Sequence, residues 1–198
     1  MGFVHRSSRR VETMDHAGRL APAGLVFLEL MDLELPLIPP PLANMATGYE
    51  PPSGEWARSL VDRGTPDFIA KANTSWFELC HEGGLFGDGR EFLVSVALHE
   101  GGSDLWWARV RLAESWDLVG AGSAAALGSG LGEPEFTALS VTGDVAAFCC
   151  STTSSIRTVV TAGFTEIEDL RAMAEWAAEY PRTPRQEKAA ARRWLDSL

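Results

Sequence analysis

The chain has 198 residues, 45% hydrophobic and 22% charged, which suits one domain with a sizeable core and excludes disorder of the whole chain. Its formal net charge of −10 excludes a broad nucleic-acid surface, because phosphate binding needs concentrated Lys and Arg, and argues against adhesion to an anionic membrane. The three cysteines, Cys80, Cys149 and Cys150, are an odd set with one vicinal pair, so they read as reduced thiols of a cytoplasmic protein and not as a disulfide framework.

Residues 1–22 read as a flexible N-terminal arm. The stretch "MGFVHRSSRRVETMDHAGRL" is basic and has neither a clean apolar core nor a small-residue cleavage site, so no secretory signal is expected. Gly2 invites myristoylation, but Arg6 stands where the motif wants Ser or Thr. The segment is an arm, or upstream sequence before a start at Met14. Leu25 to Leu35 follows, too apolar to be exposed; its periodicity fits strand or helix about equally, and the reading leans to strand. Glu29, Asp32 and Glu34 break this run well short of the ~20 apolar residues of a membrane span. The prolines of "LPLIPPPLAN" end it.

Ser53 then looks like the N-cap of a helix, "GEWARSLVDRG", with Trp56, Leu60 and Val61 on one face. Thr65-Pro66 is expected to cap a second short helix that buries Phe68, Ile69 and Ala72. The middle reads as a three-stranded antiparallel meander. Its strands are "SWFELCHE", "REFLVSVALHE" and "LWWARVRLA", joined by the glycine-rich turns "GGLFGDG" and "GGSD". A short small-residue helix is expected near Ser123 to Leu127. A second hairpin turns at Thr142-Gly143-Asp144, with Cys149 to Ser155 irregular. Two capping boxes, Thr165 to Glu168 and Thr183 to Gln186, open two C-terminal helices. The expected fold is α+β: a single domain over 23–181, with a mainly antiparallel sheet of five or six strands and helices on one face. An amphipathic helix over 182–198 completes the chain.

Three constellations invite chemistry. The tetrapeptide HEGG occurs at His81 to Gly84 and again at His99 to Gly102. A zinc-protease helix needs two histidines one turn apart, and eighteen residues separate these two. Both terminate expected antiparallel strands, so they should lie at opposite edges of the sheet. The glycines then serve as turn residues. No metal site and no cofactor is therefore expected, and a site built from His81, His99 and Glu100 is the alternative. Gly120 to Ala125 loosely matches the dinucleotide fingerprint, but hairpins flank it where a parallel βαβ unit is required. No G-x-S-x-G elbow is present to anchor a Ser-His-Asp hydrolase. These spacings lean against an enzyme and name no catalytic residue.

The seven tryptophans are more informative. Adjacent Trp106 and Trp107 cannot both face one side of a strand, so one leaves the main core and either packs under another element or meets a partner. Trp194 lies on the last helix. That segment carries Arg182, Arg185, Lys188, Arg192 and Arg193 in an otherwise acidic chain, and is expected to dock on its own body. Trp106, Trp107 and Trp194 are the candidate binding residues.

The run "EFLVSVALHEGGSDLWWARVRLAESWDLVGAGSAAALGSGL" resembles one half of the EspG family, cytosolic chaperones of actinobacterial type VII secretion. "LELMDLELPL" and "WARSLVDRG" resemble the opening elements of that family. The resemblance covers about half the chain, rests on pattern and transfers no site residue. It implies a non-catalytic protein-binding module with a secretion-chaperone-like role. A toxin inhibitor fits the same features. The competing class is a metal- or nucleotide-dependent enzyme using the His81/His99 region or the Gly120 to Ala125 loop. A protein partner is expected, with a second copy of the chain as one candidate, and neither nucleic acid nor membrane.

Overall fold

The computed structural model describes residues 14–99, 104–120, 127–128 and 133–198. Seven strands form one sheet: β1 (Leu25–Leu30), β2 (Trp56–Asp62), β3 (Glu91–Ala97), β4 (Leu105–Leu112), β5 (Glu135–Leu139), β6 (Val145–Ser151) and β7 (Ser155–Ala162). Five helices are described with them: α1 (His16–Leu20), α2 (Pro40–Ala46), α3 (Phe68–Glu82), α4 (Glu168–Glu179) and α5 (Arg185–Asp196). The strand order is β1-β4-β3-β5-β6-β7-β2, antiparallel throughout. The α+β class and antiparallel sheet agree with the sequence. The strand number does not: the sheet has seven strands, not five or six.

The helices also differ from expectation, because they cover both faces of the sheet. Phe92, Val94, Val96, Ala108, Val110, Ala138 and Ala147 pack against Ala72, Trp76 and Cys80 of α3. On the reverse face Leu93, Trp107, Leu139 and Ala146 pack against α2, α4 and α5. Burial on both faces explains the weak alternation of β5 and β6, whose small residues face protein in either direction.

Two elements exchange type. Residues 75–82, read as a strand from their aromatic and apolar density, form the second half of α3. Its buried residues Ala72, Trp76 and Cys80 recur every four positions, a helical stripe. Trp76 sits at the centre of an aromatic cluster, with ring centroids 5.7 Å from Phe86, 6.0 Å from Phe92, 5.7 Å from Trp116 and 6.1 Å from Phe136. Conversely, "WARSLVD", read as helix, is β2, paired along its whole length with β7. Ser53 caps nothing there; its hydroxyl bonds Glu166. Gly54 marks the entry to β2, where a Cβ would stand 1.9 Å from the Ala162 carbonyl oxygen.

Other details follow from packing. Pro40 and Pro41 occupy the first turn of α2, where a missing N–H costs nothing. Within the stretch read as an arm, α1 delivers Leu20, which is buried in the core under α3. Both expected C-terminal helices form, but neither capping box does. Phe164 and Ile167 are buried against the second layer, which draws Phe164–Glu166 into a 3-10 turn and starts α4 at Glu168. Pro184 is extended and flanks α5. The turn at Thr142-Gly143-Asp144 is as expected, with Ser140 Oγ donating to the Asp144 carboxylate at 2.8 Å. Cys149 and Cys150 lie within β6, not in an irregular segment. Ser123 to Ala126 lie outside the described residues.

Candidate binding groove

The second layer of helices stops short of the β2 edge. Alternation places Trp56, Arg58 and Leu60 of β2 on the same face as Arg157 and Val159 of β7 and Phe148 of β6. The end of α2 walls this area on one side. Asn44, Met45, Thr47, Gly48, Trp56, Arg58, Phe148, Arg157 and Val159 line a groove of about 260 Å³. Apolar surface and charge share it. Met45 is 41% exposed, and Leu60, on the same face of β2 next to the groove, is 67% exposed. The Arg58 guanidinium lies 5.8 Å from the Trp56 ring centroid, within cation–π range. Trp56 is itself anchored, its Nε1 donating to the Thr47 carbonyl at 3.1 Å.

Four ion pairs are formed among the described residues, from Arg63, Arg109 twice, and Arg193; neither Arg58 nor Arg157 takes part. Both are exposed. Nearby carboxylates are committed elsewhere. Asp62 accepts from the Gly64 N–H at 2.7 Å, and Glu133 pairs with Arg63 at 2.6 Å. Glu135 shares the face but stands across Cys150 from Arg157. The groove is therefore a positive, aromatic-walled patch on an acidic protein.

β2 is also a free edge of the sheet. Ala162 N–H donates to the Glu55 carbonyl, and Arg63 N–H to the Ser154 carbonyl. In an antiparallel ladder this phase commits the backbone groups of residues 57, 59 and 61 to β7. Those of Trp56, Arg58 and Leu60 point outward along the open edge.

The residues singled out from the sequence lie elsewhere. Trp106, Trp107 and Trp194 are 1%, 0% and 3% exposed. Despite their alternation, Trp106 and Trp107 join the same cluster under α2, α4 and α5, where Trp194 also packs. Their indoles donate to Met31 and Ile38 carbonyls at 2.9 and 2.7 Å. The cavity beside Trp106 measures about 20 Å³, space on the scale of single waters. His81 is exposed at the end of α3, next to Gly83, which abuts Val160 of β7. His99 is exposed beyond β3, and β7 is three places from β3 in the sheet. Glu100 lies outside the described residues, among which no group of three His, Cys, Asp or Glu side chains could hold a metal ion. Of Gly120 to Ala125 only Gly120 is described; its N–H donates to the Asp117 carboxylate at 2.7 Å.

The thiols are matched to packing. Burial pushes the Cys80 thiol well up, with Cys149 adding to the effect. Burial likewise pushes Cys149 up to about 12, against a lowering hydrogen bond from Thr158. Thiols so placed stay protonated and are poor nucleophiles.

The groove is hidden in the sequence because Trp56, Leu60 and Val61 also fit a helical period of 3.6. The available signal was the alternation of Trp56, Arg58 and Leu60 with Ala57, Ser59 and Val61. Among the described residues, no helix is long and apolar enough to cross a membrane. Compared with protein-family models, with curated proteins and with solved structures, the chain matches none.

Proposed function

We propose that the chain is a non-catalytic protein-binding module that acts in the cytoplasm, in a role like that of the EspG-type secretion chaperones its sequence resembles. Its contact surface is the groove between α2 and β2. One observation carries this reading: the helices that cover the middle of this sheet face leave the β2 edge open, and Leu60 there, 67% exposed beside the Arg58–Trp56 stack, is the most exposed large hydrophobic side chain among the described residues. Monomers seldom leave apolar side chains on an unpaired edge strand without a use for them, because such edges recruit other chains.

The test is a photocrosslinking residue placed at position 60 in the native host, with position 28 on the opposite edge strand as control. Leu28 is also partly exposed, at 37%. The expected result is one dominant adduct from position 60 that is absent from position 28. Equal, diffuse adducts from both positions would remove the groove as contact surface. The identity of the adduct separates a secretion substrate from a toxin.

A further inference from the structure

We infer that the groove takes an extended acidic segment of a partner protein, added as an eighth strand along β2 with alternate carboxylates beside Arg58 and Arg157. This inference rests on the reading of that face as the contact surface. Two observations converge on it. The outward N–H and C=O groups of Trp56, Arg58 and Leu60 offer backbone pairing to an added strand. On the groove face, every second residue of such a strand would meet Arg58 in the adjacent strand and Arg157 in the next, both free of ion pairs among the described residues. Guanidinium–carboxylate bonds are charge-assisted and often bidentate.

The other face of β2 asks for different side chains. There Ala57 borders a second cavity, of about 120 Å³, with Leu79, Val160, Glu55 and Glu82. Carboxylates on that side would face two acids, so its residues should be apolar. The segment that fits alternates acidic and apolar residues. Overall electrostatics oppose this choice: a chain of net charge −10 repels an acidic peptide at long range. A preference for acid can therefore arise only from the local arginines.

The probes are two fluorescein-labelled octapeptides, alternating Glu–Val and alternating Lys–Val, titrated against the full chain by fluorescence anisotropy. The Glu–Val peptide is expected to bind at least ~10-fold more tightly, and Arg58→Glu or Arg157→Glu to reverse the order. Leu60→Pro removes an outward N–H and no bond to β7, so it should abolish binding while circular dichroism stays unchanged; Leu60→Ala separates the side-chain contribution. Equal binding of the two peptides, binding of neither, or unaltered binding by the arginine variants overturns the inference. So does a doubled mass in light scattering that Leu60→Pro abolishes, since the edge would then belong to a second copy. A specific adduct at position 60 alongside such a failure leaves the contact surface standing and rejects only the acidic occupant.

Discussion

Trp76 shows how one side chain organises a layer. It is fully buried and packs against four aromatic rings, Phe92 of β3, Phe136 of β5, and Phe86 and Trp116 of the loops. Replacing it with alanine removes most of that contact and leaves a cavity, so Trp76→Ala should cost about 3–5 kcal/mol in urea unfolding. Glu187 gives a second test. Burial and the neighbouring Asp104 hold its carboxyl above the usual range. The folded state thus favours the protonated form, so this group's contribution is fully present below the ordinary carboxylate range and is lost as pH rises through the raised value. Glu187→Gln should therefore raise Tm at pH 7–8 and leave it unchanged near pH 4. An equal shift at both values would mean that packing, not charge, sets the effect.

β2 tests the reading at the scale of an element. Its odd-numbered residues bond to β7 and its even-numbered ones face outward. Ser59→Pro breaks a ladder bond and leaves a Thr158 backbone group unpaired, at a cost of about 1–3 kcal/mol. Leu60→Pro breaks none. A greater loss of Tm at 59 than at 60 verifies the phase of the ladder, and the opposite order would mean that the strand is shifted by one residue. α3 teaches the complementary lesson. Its second half is rich in Trp, Phe and Cys, residue types at home in strands, yet the spacing of Ala72, Trp76 and Cys80 suits a helix lying across the sheet. Here tertiary burial overrode local preference.

At the scale of the molecule, one sheet serves two cores. α3 closes one face, and α2, α4 and α5 close the other. Each strand in the middle belongs to both layers, so loss of either should carry the other with it. Heating is expected to give a single transition, coincident in far- and near-ultraviolet circular dichroism. Trp76→Ala and Trp194→Ala, in opposite layers, should both lower that one Tm. Early melting of the C-terminal helices alone would separate the layers. The incomplete cover of the second face is the feature on which the proposed binding role rests. Two helices pack over the middle of the sheet from one short hairpin, and they leave the β2 end open.

By itself the sequence determined the class, the β3–β4 hairpin, the turn at Gly143 and the existence of both terminal helices. Each of these is written in a local period or a turn residue. The rest is non-local. That β2 crosses to pair with β7, that helices lie on both faces and that Trp106 and Trp107 are both covered depend on contacts between residues far apart in the chain. The groove belongs with these. Arg58 and Arg157 lie ninety-nine positions apart, and only the pairing of two strands brings them to one face. A period read along the chain records which side of an element is apolar; what covers that side is decided by the free energy of packing the whole molecule.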